Sequence, residues 1–315
     1  MTTLLVSQPN FADHHTPPGH PERPERIEAV EEALARPRFD RLVRRSAPSG
    51  DLMLAELVHD SSYLQRLRNA RPAEGMGQID GDTFICPKSL DVVTAGLGGA
   101  LDALDAVLLG QVDNAFCAIR PPGHHAERAA PMGFCLINTI AITAREAQRK
   151  YGAERIAIID FDVHHGNGTQ DIFADDPTVF YASTHQMPLF PGTGHPRETG
   201  AGNIVNVALE SGTGGAEMRD AYLTRIIPAT IDFSPDLILL SAGFDAHERD
   251  PLAQLNWQAA DYSWLTGKLI DVADRCCGNR IVSLLEGGYD LKGLAGGVSH
   301  HVAMLMDGAV GRLDE

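Results

Sequence analysis

Residues 155–170 read RIAIIDFDVHHGNGTQ, and this stretch decides the fold because a short apolar run leads directly into a polar turn. The run IAIID is almost continuously apolar, and LILLS at 237–241 repeats its pattern. Strands of this composition are covered on both faces, which is typical of a parallel sheet. Helical patterns alternate with such runs along the chain. We therefore predict a three-layer α/β/α sandwich with a mainly parallel sheet, in one domain over residues 1–315.

The predicted elements follow from this alternation. Strands are expected at 3–8, 114–119, 155–162, 178–183, 203–209, 236–242 and 280–286. Helices are expected at 22–35, 89–109, 138–152, 216–233, 258–276 and 291–308. In a sheet of this class, ligands bind beyond the carboxyl ends of the strands. The polar residues that follow each strand are therefore the candidates for chemistry.

Composition excludes several classes of function. The net charge of −16 argues against binding of nucleic acid through a basic surface, and leaves cationic or neutral substrates open. The five cysteines include no CxxC pair, which indicates a reducing compartment. No run approaches the roughly 18 apolar residues that cross a bilayer. We expect a cytoplasmic protein with no membrane or nucleic-acid partner, and leave its oligomeric state open.

Four predicted strands end in segments rich in histidine, aspartate, tyrosine and glycine, at 120–134, 160–169, 243–251 and 286–290. Asp162 and His164 are two residues apart, so in an extended chain both side chains face the same side. Asp245, just past its own strand, is the natural third ligand. Two carboxylates and one imidazole leave coordination positions open, which is typical of a catalytic zinc site. The alternative is that the aspartates only cap neighbouring turns.

A hydrolytic metal site also needs a base for the proton of water and an acid for the leaving amine. His124 and His125 can supply both functions, and Tyr289 can donate its hydroxyl to a developing oxyanion. The alternatives are two solvated loop histidines and a tyrosine that only packs at a strand end. Asp160 would lie deeper, accepting a hydrogen bond from an imidazole, binding a cation or serving as a fourth zinc ligand.

Six motifs follow one another along the chain, namely RPPGHHA, GFCLINT, DFDVHHGNGTQDIF, FPGTG, SAGFDAHERDPL and LEGGYDL. Together they resemble the zinc-dependent histone deacetylase family. The wider group includes bacterial deacetylase-like amidohydrolases, acetoin-utilisation proteins and acetylpolyamine amidohydrolases. The resemblance implies the arginase/deacetylase fold and hydrolysis of an N-acetyl-lysine amide.

The resemblance also implies a role for each chemical group. Asp162, His164 and Asp245 are similar to the family's zinc ligands. Tyr289 is similar to the residue that polarises the acyl carbonyl and stabilises the tetrahedral oxyanion.

The proton chemistry is implied for the histidine pair. His125 resembles the general base that later protonates the leaving amine, and His124 resembles its electrostatic partner, backed by Asp160. The partner of His125 is Asn167, where many class I members carry aspartate, and HHGNGT with HPERPER makes the chain class II-like. Because asparagine lacks the negative charge, it should leave His125 less basic than aspartate would.

The substrate tunnel and two monovalent-cation sites are implied in the same way. Gly133, Phe134 and Phe190 resemble tunnel walls, and Arg26 resembles an arginine near an inner channel through which acetate leaves. Leu252 stands where acetylpolyamine-preferring eukaryotic members carry an acidic residue, which weakens that substrate. A potassium site is implied by the side chains of Asp160 and Ser183 with the backbone of Asp162, His164 and Thr184. A second site is implied by the backbone of Phe173, Asp176 and Val179.

We therefore predict a zinc-dependent deacylase that acts on N-acetyl-lysine in a protein or peptide, with potassium as a structural ion. The first alternative is an amidohydrolase of small acylated amines such as acetylpolyamines. A binuclear manganese ureohydrolase is disfavoured, because GFDAHE lacks the paired aspartates that a second metal needs. A non-catalytic acyl-lysine reader is disfavoured, because Tyr289 and both histidines are present. Ferrous iron or cobalt would also suit the ligand set.

Overall fold

An eight-stranded parallel sheet forms the middle layer of the protein, in a computed structural model that describes residues 1–308. Its strand order is β2-β1-β5-β10-β9-β6-β7-β8, and every neighbouring pair is parallel. The two remaining strands, β3 and β4, form a separate antiparallel pair. The strands are β1 (Thr3–Ser7), β2 (Val43–Ser46), β3 (Gly77–Gln78), β4 (Phe84–Ile85), β5 (Asn114–Ala118), β6 (Ile156–Asp160), β7 (Val179–Gln186), β8 (Ile204–Leu209), β9 (Leu237–Ala242) and β10 (Ile281–Leu285).

Helices cover both faces of this sheet. They are α1 (Glu25–Leu34), α2 (Ser61–Ala70), α3 (Ser89–Leu108), α4 (Thr139–Tyr151), α5 (Asn167–Phe173), α6 (Gly215–Ala221), α7 (Ile227–Phe233), α8 (Ala259–Cys277) and α9 (Leu291–Asp307). Helices α3 and α4 contact each other on one face, while α1, α8 and α9 pack together on the other. The predicted α/β/α sandwich with a parallel sheet is confirmed.

The two apolar layers explain why the central strands are continuously hydrophobic. In β6, Ile156 and Ile158 join the apolar cluster beneath α3 and α4, whereas Ala157 and Ile159 join the cluster beneath α8 and α9. Because successive side chains of a strand point to opposite faces, a strand covered on both sides is apolar at every position. All of β6 is buried.

The structure contains elements that the sequence prediction lacks, namely strand β2, the β3–β4 pair and helices α2 and α5, and it divides one predicted helix. Strand β2, with the sequence VRRS, is absent from the predicted strands, because it is a largely exposed edge strand with little apolar signal. The single helix predicted over 216–233 is divided into α6 and α7 by a π-helical turn over Tyr222–Ile226. Pro228 is the second residue of α7 and has no N–H to donate, so the backbone bonding changes at this point.

The strand order brings four polar loops together. Strands β5, β10, β9 and β6 are consecutive neighbours in the middle of the sheet, and they run in the same direction. Their carboxyl ends therefore lie side by side at one edge, where the segments after residues 118, 285, 242 and 160 meet. Among residues 1–308, no helix has the length and apolar character needed to cross a membrane.

Candidate active site

Asp162, His164 and Asp245 converge at the ends of β6 and β9. One ligand atom from each lies within 4.8 Å of the others, and all three residues are buried. His164 Nδ1 is 3.1 Å from Asp162 Oδ1 and 3.2 Å from Asp245 Oδ2. Backbone amides hold the other carboxylate oxygens, since Gly287 N donates to Asp162 Oδ2 at 2.8 Å and Val163 N donates to Asp245 Oδ1 at 2.9 Å.

The electrostatics of this cluster fit a bound cation. Burial disfavours a charged imidazole, but hydrogen bonds to Asp162 and Asp245 raise the pKa of His164 to about 10. Burial and the neighbouring Asp162 carboxylate raise the pKa of Asp245 to about 7. Asp245 Oδ2 is buried and receives no backbone N–H from residues 1–308, so its polar neighbour is the His164 ring. The site thus carries surplus negative charge, which draws protons to it. A divalent cation would displace these protons, and the oxygen and nitrogen atoms that would bind it are ligands suited to zinc.

The histidine pair lies beside this cluster on the loop after β5. Its ring centroids are 4.0 Å apart. His124 Nδ1 is 2.9 Å from Asp160 Oδ2, and His125 Nδ1 is 2.7 Å from Asn167 Oδ1. The Asn167 amide is oriented by its Nδ2, which donates to Glu127 Oε1 at 2.7 Å. Asn167 Oδ1 therefore accepts a hydrogen bond from the N–H at His125 Nδ1, which leaves Nε2 of that ring as the free acceptor.

The two histidines have opposite pKa shifts. Burial opposes a charge on His124, but the carboxylates of Asp160 and Asp162 raise its pKa well above the usual value. Burial lowers the pKa of His125 well below its usual value, and the neighbouring charges of His124 and His164 add to this effect. Two adjacent imidazoles are therefore separated into a charged ring and a neutral ring that can accept a proton.

Tyr289 stands on the loop after β10, which spans residues 286–290. Its ring lies 5.8 Å from that of Phe134, measured between centroids, and the guanidinium carbon of Arg26 is 5.0 Å from the Tyr289 ring centre. Burial raises the pKa of the Tyr289 hydroxyl well above its usual value, while Arg26 opposes the shift. The hydroxyl is therefore protonated at neutral pH and available as a donor.

A cavity of about 240 Å³ leads from the surface to these groups. Four of the residues predicted to contact substrate line it: Gly133, Phe134, Phe190 and Leu252. Gly133 has a φ of +54°, and a Cβ there would lie 2.4 Å from the His125 ring. The full lining is Asp82, His125, Gly133, Phe134, His164, Leu189, Phe190, Leu252 and Tyr289.

Arg26 does not line this cavity. It is fully buried beneath the site, where Nε donates to the Gly288 carbonyl at 2.7 Å and a terminal nitrogen donates to the Glu286 carbonyl. Its Nη1 is 3.4 Å from the buried Glu22 carboxylate. In this structure Arg26 supports the backbone of the Tyr289 loop.

The residues of the two implied cation sites also come together. Asp160 and Ser183 occupy paired positions on β6 and β7. Asp162 and His164 follow Asp160 in the chain, and Thr184 is the residue after Ser183.

At the second position, a side chain lies among the three carbonyl groups. Asn203 Nδ2 donates to the carbonyls of Phe173, Asp176 and Val179 at 2.8, 2.9 and 2.7 Å. Asn203 Oδ1 is fixed by the Ala201 amide at 3.0 Å. The three carbonyl groups predicted for the second cation site do lie close together, but the side-chain nitrogen of Asn203 lies among them.

Sequence reasoning assigned no role to several residues around the site. Tyr181 donates its hydroxyl to Asp160 Oδ2 at 3.0 Å, from the neighbouring strand. Glu286 lies beneath the histidine pair, where its Oε2 accepts from Gly123 N at 2.6 Å and His124 N at 3.2 Å. Asp82 and Leu189 line the cavity. Glu286 is part of the motif LEGGYDL, and its position in that motif is the feature of the sequence that could have identified it as a site residue.

The sequence has further adjacent histidines at 14–15 and 300–301, and neither these nor His165 lines the cavity. The His165 ring is 2.8 Å from Thr193 Oγ1 and 2.9 Å from Gln170 Oε1, so its nitrogens face away from the metal ligands. His14 is buried in the first loop, and His301 lies in the core.

Comparison with known proteins gives a consistent result. A model of the histone deacetylase domain matches residues 20–305. The chain is 40% identical over 326 residues to histone deacetylase 14, chloroplastic, of Arabidopsis thaliana, covering 96% of this chain and 76% of that one. It is 37% identical over 281 residues to the histone deacetylase-like amidohydrolase of Pseudomonas aeruginosa, covering 86% and 73%. The crystal structure of the HDA15 HD domain matches with a TM-score of 0.92 at 32% identity, covering 98% of this chain and 90% of that one.

Proposed function

The chain belongs to the histone deacetylase family, and we propose that it is a zinc-dependent deacylase that hydrolyses N-acetyl-lysine in proteins or peptides. One observation carries this proposal. The candidate ligand His164, the neutral His125 and the protonated Tyr289 all open into the same narrow cavity. That set contains a metal position, a base and an oxyanion donor around one point, which is what amide hydrolysis requires.

The metal would be held by Asp162, His164 and Asp245. When bound, a zinc ion there supplies Lewis-acid chemistry that makes water a better nucleophile and polarises the acyl carbonyl. The buried carboxylates and their backbone donors fix the ligand atoms before a metal arrives.

His125 acts as the general base. Its Nε2 faces the cavity as a neutral acceptor, because Nδ1 donates to Asn167, and it takes the proton of the attacking water. The same nitrogen then gives that proton to the departing amine, since an acceptor that has gained a proton becomes a donor. His124 stays charged against Asp160 and stabilises the negative charge that develops nearby.

Tyr289 stabilises the acyl oxygen. Its hydroxyl remains protonated and donates to that oxygen as the carbonyl carbon becomes tetrahedral. Phe134, Phe190 and Leu252 give the cavity apolar walls that suit the methylene chain of lysine and exclude water.

The Tyr289→Phe variant tests this function. Removal of one oxyanion donor should lower kcat by about 10²–10³-fold on an acetyl-lysine peptide, with a smaller change in KM. The measurement is steady-state hydrolysis by enzyme of known zinc content, with thermal unfolding as the control for folding. Equal rates for the variant and the wild type would exclude the role given to Tyr289.

A small acylated amine is the second candidate substrate, and the net charge of −16 favours cationic amines in general. The apolar Leu252 at the cavity wall favours the lysine chain instead. Comparison of kcat/KM for acetylputrescine and an acetyl-lysine peptide separates the two. A higher value for acetylputrescine would assign the enzyme to small amines.

We also propose a structural potassium ion at the position formed by Asp160, Ser183 and the backbone after them. The support is the pairing of Asp160 with Ser183 on neighbouring strands. For the second cation position, the Asn203 amide would have to leave the three carbonyls that it contacts.

A further inference from the structure

Asp250 is a buried carboxylate that lies outside the cavity lining and has no part in the chemistry above. It accepts three backbone hydrogen bonds. Its Oδ2 accepts from Tyr289 N at 2.7 Å and from Asp290 N at 3.3 Å, and its Oδ1 accepts from Leu252 N at 3.0 Å. Both oxygens are thus used by main-chain donors, and Asp250 is only 7% exposed.

These bonds connect two loops that line the same cavity. Leu252 belongs to the loop after β9, and Tyr289 belongs to the loop after β10. Both side chains line the cavity. One carboxylate therefore sets the distance between a wall of the cavity and the oxyanion donor.

The 286–290 loop needs such an anchor because its backbone is intrinsically flexible. Gly287 and Gly288 precede the tyrosine, and Gly288 has a φ of +123°, a conformation open mainly to glycine. On the amino-terminal side, Arg26 holds the carbonyls of Glu286 and Gly288. On the carboxyl-terminal side, the amides of residues 289 and 290 are held by Asp250.

We propose that Asp250 is a positioning residue of the deacylation reaction, whose carboxylate fixes the main chain at 289–290 so that the Tyr289 hydroxyl meets the acyl oxygen. This inference rests on the proposed function. An amide cannot replace the carboxylate without loss, because three N–H donors point at its two oxygens. In Asp250→Asn, the side-chain NH₂ group faces at least one of these N–H groups.

The effect of Asp250→Asn should appear in kcat. Displacement of a catalytic group by about 1 Å costs up to about 10²-fold in rate, so we expect kcat to fall by about 10- to 100-fold. KM should change by less than about threefold, because the donor acts mainly in the transition state. Asp250→Glu keeps the charge and should recover part of the loss.

A double-mutant cycle tests whether the effect passes through Tyr289. Residues that act as a unit are not additive, so Asp250→Asn in a Tyr289→Phe background should lower kcat by no more than about threefold further. A purely structural role for Asp250 would instead lower kcat by the same factor in both backgrounds.

Asp261 offers a matched control. Asp261 lies in the first turn of α8, is buried and does not line the cavity. It accepts a backbone hydrogen bond from Gln258 N at 2.8 Å and forms an ion pair with Arg219. Asp261→Asn should lower Tm while leaving kcat unchanged. Loss of kcat in Asp261→Asn equal to that in Asp250→Asn would overturn the proposal.

Amide hydrogen exchange gives a readout that does not depend on turnover. In metal-free protein, exchange at residues 289 and 290 should be faster in Asp250→Asn than in the wild type and in Asp261→Asn. Unchanged exchange there would overturn the anchoring role, as would an additive double-mutant cycle. If the wild type hydrolyses no acyl amine, the proposed function fails, while the exchange measurement still decides whether Asp250 anchors the loop.

Discussion

Replacement of Asn167 by aspartate should move the pH dependence of the reaction. Asn167 Oδ1 accepts a hydrogen bond from His125 Nδ1 at 2.7 Å, and this amide carries no charge. Burial and the charges on His124 and His164 already hold the pKa of His125 well below its usual value. A carboxylate in place of the amide would stabilise the protonated ring and so raise that pKa.

The size of the shift follows from the geometry. Charges centred about 4 Å apart interact by about 4 kcal/mol at an effective dielectric constant near 20, which corresponds to about 3 pKa units. Glu127 Oε1 lies 2.7 Å from Asn167 Nδ2, so the new carboxylate would face a second one. A proton shared between these two carboxyl groups would cancel part of the new charge. We therefore expect the pKa of His125 to rise by about 1–2 units.

The assay is the pH profile of kcat/KM on an acetyl-lysine peptide. His125 must be neutral to accept a proton, so a higher pKa moves the acid limb of the profile to higher pH by the same 1–2 units. Asn279→Asp, which adds the same charge after α8, controls for net charge. An acid limb that stays in place, or moves to lower pH, in a folded variant with full zinc content would refute this account of His125.

Two further predictions concern buried groups, namely Glu286 beneath the histidine pair and Asn203 at the second implied cation position. Burial raises the pKa of Glu286 to about 7 from 4.5, so its contribution to stability is complete below about pH 4.5 and is lost as pH rises through about 7. In metal-free protein, Glu286→Gln should therefore gain Tm relative to the wild type between pH 5 and 8, and a difference that is constant with pH would contradict this. Asn203→Ala removes the amide from three carbonyls, so it should bind one more thallium ion per chain than the wild type, as measured by equilibrium dialysis. Equal stoichiometry would show that the carbonyls attract no cation even when they are free.

The main features of the fold could be predicted because burial on both faces leaves a direct trace in the sequence. The run IAIID in β6 is apolar at every position up to Asp160, and the strand ends where the polar turn begins. The convergence of Asp162, His164 and Asp245 follows from the same logic, since parallel neighbouring strands end at one edge. Their roles, and the single-domain assignment over 1–315, stay predictions.

Other features could not be predicted, for identifiable physical reasons. The polar edge strand β2 gives no periodic signal because none of its four residues is buried. Glu286 and Asp250 act on backbone amides, and every residue except proline carries such an amide. The sequence therefore shows that a carboxylate is present without showing which N–H group it will meet. Asn203 is a similar case, because its partners are three carbonyls.

The bonds that anchor the 286–290 loop bear on which substitutions the loop can accept at position 289. The groups that hold the loop are peptide groups, namely the carbonyls of residues 286 and 288 and the amides of residues 287, 289 and 290. None of these bonds uses the side chain at position 289. Exchange of that side chain should therefore leave the loop in place and alter only the group presented to the substrate. Position 289 is accordingly a suitable starting point for redesign, where new chemistry can be introduced at a fixed point of the cavity without rebuilding the loop.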